Sequence, residues 1–193
     1  MGGQGLRRRL ILFGAPGSGK GTQAELLRQR YDLDHIAPGD MLREHRAAGT
    51  ELGHLASEYM AAGKLVPDEL IVNMIRHRLE DDGDAKGFVL DGFPRTVPQA
   101  RSLQELLEKM DRPIDLVAVL DVPEGELVAR LSRRATEERR EDDTPEIISE
   151  RLRVYRVQTE PVLEYLGDLV PVLRLDGRGS VEEVNGALVQ AIG

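Results

Sequence analysis

The sequence predicts an α/β protein built on a parallel sheet flanked by helices. Three observations lead there. Short apolar runs alternate with longer amphipathic stretches along the whole chain. The first run, Leu10-Ile11-Leu12-Phe13, enters a glycine-rich loop that opens into a helical pattern. A later run, Phe88-Val89-Leu90, ends in an acid, Asp91, where the carboxyl edge of a parallel sheet would lie.

The elements follow in chain order. A strand is expected over Arg8–Phe13. The loop Gly14-Ala15-Pro16-Gly17-Ser18-Gly19-Lys20-Gly21-Thr22 comes next, then a helix over Lys20–Arg30 carrying Ala24, Leu26 and Leu27. A short strand at His35–Ile36 precedes helices at Asp40–Ala47, Glu51–Ala62 and Asp68–Glu80. In the last of these, Leu70, Ile71, Met74, Ile75 and Leu79 form one apolar face. The strand Phe88–Leu90 leads to a helix over Val97–Lys109, and the strand Leu116–Leu120 to one over Glu124–Arg133. A charged stretch, Arg133–Asp143, is too polar for a core; it reads as a solvated loop or as a mobile flap. A helix over Pro145–Tyr165, a strand over Val172–Leu175 and a helix over Ser180–Ile192 complete the chain. Met1–Leu6 reads as a flexible leader.

Composition sets the bounds. The 193 residues suit one domain, 1–193, with subsidiary lobes. A net charge of −8 argues against nucleic acid as partner. No apolar run approaches membrane-spanning length and no signal peptide is visible, so the cytoplasm is expected. The chain has no cysteine, which removes disulfides, thiolate metal sites and thiol catalysis. The default oligomeric state is monomer.

The loop spacing is G-x-x-x-x-G-K, between strand and helix. This is what a phosphate-binding loop requires. Glycines let the backbone curl so that its N–H groups face phosphate oxygens. The following helix adds its positive dipole end. Lys20, one of only four lysines in the chain, then reaches the outer phosphates. A glycine-rich turn with an incidental lysine is the plainer reading, but strand and helix signals flank it on both sides. Gly21 stands where the general pattern has Ser or Thr, and the hydroxyl comes one place later, at Thr22.

The second motif is Asp91-Gly92-Phe93-Pro94-Arg95-Thr96. A carboxylate at a strand's carboxyl end can hold Mg²⁺ through its water shell. Gly92 allows close backbone approach, and Arg95 offers a planar fork of donors to phosphate. The plainer readings are a helix cap for Asp91 and a surface ion pair for Arg95; the nearby phosphate loop favours function. Asp40 reads as the cap of the helix that carries Arg43. His35, His45, His54 and His77 show no ligand spacing and read as structural or surface residues.

The sequence resembles the adenylate kinase family of nucleoside monophosphate kinases, from about Arg9 to Ile192. The motifs are Gly14 to Thr22, Gly39-Asp40-Met41-Leu42-Arg43, Gly63-Lys64-Leu65-Val66-Pro67-Asp68-Glu69, and Asp91 to Thr96 with Pro98-Gln99-Ala100. Asp142-Asp143-Thr144 is the last. The resemblance implies a P-loop core, a monophosphate-binding lobe over about 37–66 and a short lid over 133–143. It implies reversible transfer of the γ-phosphoryl of MgATP to AMP, with ATP, AMP and ADP as partners. The lid is too short for the metal-bearing form of longer relatives, so no structural zinc is expected.

Site roles come by the same resemblance. Gly17, Ser18, Gly19, Lys20, Gly21 and Thr22 would wrap the ATP phosphates. Arg130 would stack on the ATP adenine, Gly179 would meet it by backbone, and Arg134 would meet the phosphates. Arg43 and Arg95 would hold the AMP phosphate beside Gly92. Lys64, Leu65 and Val66 would line its sugar and base, and Gln99 would bond its adenine. Arg140 and Arg151 would close on both phosphate groups, and Asp91 would hold Mg²⁺ through water. Catalysis would rest on Lys20, Arg95, Arg134, Arg140 and Arg151. One departure is Ala37-Pro38, where the family usually has Ser-Thr. Pro38 would face the acceptor base without a hydroxyl, which leaves UMP, CMP or dAMP as alternative acceptors. A nucleotide-binding module without transferase activity is the alternative of a different class.

Overall fold

The computed structural model describes residues 8–81, 87–137 and 144–193. The expected leader, Arg140, and the Asp142-Asp143 pair lie outside the described residues. Five strands pair among the described residues: β1 (Arg8–Phe13), β2 (Asp34–Ile36), β3 (Gly87–Asp91), β4 (Leu116–Asp121) and β5 (Val172–Asp176). Their order is β2-β3-β1-β4-β5, and every pairing is parallel. The chain runs outward from β1 to β2 and β3 on one side, then crosses to β4 and β5 on the other. The crevice for a ligand in such a sheet opens at that reversal, beyond the carboxyl ends of the strands. Register places Asp91 opposite Leu12, level with the start of the glycine loop.

Strand alternation sorts the core into two faces. Ile11, Phe13, Phe88, Leu90, Val117 and Val119 point to one side. There they meet α4 (Asp68–Asp81), α5 (Val97–Lys109) and α8 (Val162–Gly167) through Ile75, Leu79, Leu103, Leu107 and Val162. Leu10, Leu12, Val89, Ala118 and Leu120 point to the other. They pack on α1 (Lys20–Tyr31) and α9 (Val181–Ile192) through Ala24, Leu27, Val184 and Leu188. The expected apolar face of α4 is confirmed: Ile71, Met74, Ile75 and Leu79 are buried, and Leu70 packs partly buried against the same cluster. A third cluster joins α6 (Glu124–Glu137) to α7 (Pro145–Val154) through Leu127, Leu131, Ile148 and Leu152. Ala15 of the loop packs against it.

Most boundaries fall within a residue of the expectation, and three helices differ more. The helix expected from Asp40 begins at Pro38, because proline at a first helical position has its φ already set. Asp40 therefore sits inside α2 (Pro38–Ala47) and pairs with Arg43; Ala37 holds the cap position, so Asp40 is not the cap. The helix expected as one piece over Pro145–Tyr165 divides. It passes from α7 into a π-type turn at Tyr155–Thr159 and resumes after Pro161, which has no N–H to continue the ladder. The helix expected to end at Arg133 continues to Glu137.

The inserted pair α2 and α3 (Glu51–Ala61) is held by a close crossing at Gly53. A β-carbon there would sit 2.3 Å from the carbonyl oxygen of His45. Alanine in place of a helical glycine ordinarily gains up to about 1 kcal/mol. Gly53→Ala reverses that sign: forcing the helices apart costs about 1–3 kcal/mol. Urea unfolding read at the midpoint checks it. Among the described residues, no helix is long and apolar enough to cross a membrane.

Candidate active site

The glycine loop folds as a cradle at the carboxyl end of β1. Gly17 has φ +85, a backbone region open chiefly to glycine, and a β-carbon there would meet Leu131 Cγ at 2.9 Å. Ser18 N–H donates to Ala15 O at 3.1 Å, closing the turn. Helix α1 starts at Lys20, aiming its unpaired N–H groups into the crevice. Lys20 Nζ donates to the carbonyls of Gly14 and Ala15 at 2.9 and 3.0 Å.

Asp91 stands across from this helix start. A β-carbon on Gly21 would lie 3.3 Å from Asp91 Oδ2, so a side chain there would crowd the carboxylate. Burial drives the Asp91 carboxyl upward; His35, Lys20 and Arg95 more than offset it and hold it below the ordinary carboxylate range. Burial drives Lys20 from 10.5 down to about 8. Asp91 opposes that shift, while Arg95, Arg151 and Arg134 reinforce it. Arg95 is likewise lowered by burial and, against the pull of Asp91, by Arg43.

The Lys20 shift makes a pH prediction. Unfolded chain keeps the lysine proton to about pH 10.5, the folded chain only to about pH 8. Between those values the unfolded state binds more protons, so this group makes stability rise with pH. The stability difference between wild type and Lys20→Met therefore moves toward the wild type from pH 8 to 10.5. The full change is up to about 3 kcal/mol, less what water in the cleft screens. Denaturant titrations of both proteins across that range check it.

Two adjoining cavities make up the site. The larger, of about 670 Å³, runs along the loop from Gly14 to Gln23 and past Asp91 to Gly177 and Gly179. Gly17, Ser18, Gly19, Lys20, Gly21 and Thr22 line it, as do Arg130 and Arg134. Arg130 donates to Glu126 and to the Gly177 carbonyl, at 2.5 and 2.9 Å. The smaller cavity, of about 90 Å³, lies between α2 and the start of α4. Pro38, Lys64, Leu65, Val66 and Gln99 line it. Arg43, Gly92, Arg95 and Arg151 line both cavities. Arg151 arrives from α7, against which the Gly63 turn packs: a β-carbon there would lie 3.3 Å from Arg151 Cγ. Arg95 folds back on its own turn, donating Nε–H to Gly92 O at 2.6 Å.

Every candidate residue within the described chain thus borders one of the two cavities. Sequence reading missed the positions of two others. His35 borders the larger cavity, with Nε2 3.7 Å from Asp91 Oδ2 and Nδ1 3.9 Å from Glu25 Oε2. It lies in β2, which reaches this place only by pairing with β3, and no local sequence signal marks that pairing. Asp68 begins α4 and reaches across to Gln99 and Thr96, at 2.7 and 2.9 Å. Among the described residues, no three His, Asp or Glu side chains converge as a metal-ligand cluster.

A phosphate-loop cradle at the reversal of a parallel sheet, with a carboxylate opposite and arginines between two cavities, defines a P-loop nucleotide-binding protein. The adenylate kinase family model matches residues 12–169. The chain is 47% identical to the adenylate kinase of Stenotrophomonas maltophilia over 184 residues, covering 95% of this chain and 98% of that one. It is 48% identical to the adenylate kinase of Xanthomonas euvesicatoria, covering 96% and 99%. With the adenylate kinase of Parabacteroides distasonis the identity is 44%, covering 95% and 96%. The chain belongs to the adenylate kinase family.

Proposed function

We propose that this protein catalyses reversible transfer of the γ-phosphoryl group of MgATP to AMP, giving two ADP. The observation that carries the reading is the shared wall of the two cavities, where Arg43, Arg95 and Arg151 border both. A protein that only binds one nucleotide has no use for three cations between two compartments. A transferase needs them, because donor and acceptor phosphates repel at the moment of reaction.

ATP lies in the larger cavity, its phosphates wrapped by N–H groups of Gly17 to Thr22 and its adenine against Arg130 and Gly179. Lys20 and Arg134 neutralise charge on the transferring group. AMP lies in the smaller cavity, its phosphate on Arg43 and Arg95 and its base against Leu65, Val66 and Gln99. Transfer is in line and needs no covalent nucleophile, so positioning and charge supply the catalysis. Asp91 fits Mg²⁺ as a single carboxylate beside the phosphate loop, since Mg²⁺ keeps most of its waters. An Mg²⁺ ion held there with ATP would supply neutralisation of the phosphate oxygens. The lobe 37–66 closes over the acceptor and excludes water, with Arg151 brought onto the phosphates; the expected lid segment beyond Glu137, with Arg140, lies outside the described residues. We place the protein in the cytoplasm as a monomer; a chain without cysteine suits that compartment and gives no thiolate for zinc.

Pro38 borders the smaller cavity and brings no hydroxyl to the acceptor base, which supports UMP or CMP as a second reading. A coupled assay of ADP formation from MgATP, comparing kcat/KM for AMP, dAMP, UMP and CMP, tests both. AMP is expected to lead. Comparable use of UMP or CMP would make the acceptor site a broader one. Nucleotide binding without transfer to any acceptor would overturn the enzymatic reading.

A further inference from the structure

We infer that Asp68 sets which bases the acceptor site takes, by fixing the orientation of the Gln99 amide. The inference rests on the reading that the acceptor base meets Gln99. A glutamine amide can turn over about its Cγ–Cδ bond, exchanging its N–H donors for its carbonyl acceptor. A free amide therefore pairs with an amino group beside a ring-nitrogen acceptor, as in adenine. Turned over, it pairs with a carbonyl beside a ring N–H, as in hypoxanthine. By itself Gln99 does not select between them.

Two contacts remove that freedom. Gln99 Nε2 lies 2.7 Å from Asp68 Oδ1, and a carboxylate oxygen accepts only. Gln99 Oε1 lies 2.7 Å from the backbone N of Arg95, and an N–H only donates. Turning the amide over would set oxygen against carboxylate and N–H against N–H, both inside a side chain that is 2% exposed. Asp68 is itself held: its other oxygen accepts from Thr96 Oγ1 at 2.9 Å. The same Thr96 hydroxyl accepts the backbone N–H of Gln99 at 3.2 Å and so caps α5. The acid, the capping threonine and the amide form one closed set at the floor of the smaller cavity, which Gln99 lines.

Together the two contacts use one N–H and one lone pair of the amide. One N–H and one lone pair remain for a base, with the places of nitrogen and oxygen fixed by the two contacts. That order is the one for a base with an amino group next to an unprotonated ring nitrogen. Adenine has it, and cytosine has it among the pyrimidines. Hypoxanthine and uracil present the mirrored order and meet a donor with a donor. Asp68 is thus a positioning residue for specificity and touches no reacting atom.

The test is the ratio of kcat/KM for AMP to that for inosine monophosphate, which differ only in this edge. It is measured in wild type, Asp68→Asn, Asp68→Ala and Gln99→Leu. A ratio from one preparation does not depend on how much of the protein is folded. Asparagine is nearly isosteric with the acid but can face Gln99 with either oxygen or N–H, so one of the two restraints is lost and only the Arg95 N–H still opposes turning the amide over. The ratio is expected to fall by about tenfold or more in Asp68→Asn, the scale of one mispaired buried polar group. It should fall likewise in Asp68→Ala, and in Gln99→Leu because the reader is gone. A ratio unchanged in both Asp68 variants but lowered in Gln99→Leu would overturn the role of Asp68 and leave Gln99 as the reader. A ratio unchanged in Gln99→Leu would overturn the reading on which the inference rests.

Discussion

Replacing Lys20 with methionine lowers kcat about 10³-fold while the protein stays folded. The side chain sits at the start of α1, at the end of the cradle that runs from Gly14 to Gly19, and it borders the larger cavity. Methionine keeps the length of the stem and removes only the charge. The carbonyls of Gly14 and Ala15 lose a donor, but the loop's own turn, closed by Ser18 N–H on Ala15 O, remains. What disappears is a cation whose field acts on the oxygens of the transferring group. One preorganised donor in such a place is worth about 10²–10³-fold, and a full charge near phosphoryl transfer is worth more. Single-turnover rates at saturating MgATP and AMP read this effect apart from binding. A loss seen only in KM would mean that Lys20 holds ATP and does not act on the transfer.

Replacing Arg95 with alanine lowers kcat/KM for the acceptor about 10²–10³-fold and leaves KM for ATP within about threefold. Arg95 leads from the carboxyl end of β3 into α5 and borders both cavities. Burial and the neighbouring Arg43 both depress its guanidinium, with Asp91 opposing. Two cations held this close repel, and a phosphate dianion between them relieves the repulsion, so the site is built for an anion that arrives. Lysine at 95 is not expected to rescue. It lacks the Nε–H that Arg95 gives to the Gly92 carbonyl at 2.6 Å, and it offers a point charge where a planar fork fits phosphate. Steady-state kinetics with each nucleotide varied in turn check the split. Equal losses in both KM values would mean general damage to the cleft.

Much of the molecule could be read from the chain because its signals are local. The apolar runs that became β1, β3, β4 and β5 are bounded by turn residues, and the loop from Gly14 to Thr22 carries its own spacing. The candidates in the loop and around Asp91 came from such signals, while Arg130, Arg134, Arg140, Arg151 and Gly179 came from the family resemblance; those within the described chain border the two cavities. What stayed hidden depends on pairs far apart in sequence. His35 belongs beside Asp91 only because β2 lies next to β3, a pairing that no local pattern states. The contact of Asp68 with Gln99 joins the starts of two helices packed on one face of the sheet. Asp40 misled for a related reason: an acid near a helix start suggests a cap, but Pro38 moved the start and left the acid to pair with Arg43. The division after Val154 was hidden because its amphipathic pattern continues through the π-type turn, and only Pro161 marks the change.

The central claim is direct transfer between two phosphates held in one cleft, and the fate of the γ-phosphorus tests it most directly. MgATP labelled at that phosphorus is mixed with unlabelled AMP and an excess of enzyme, then quenched within one turnover. The account predicts that the label appears as the β-phosphate of ADP derived from AMP, at the rate ATP disappears, with none on the protein. Label released as inorganic phosphate, or trapped on a side chain before it reaches AMP, would contradict it.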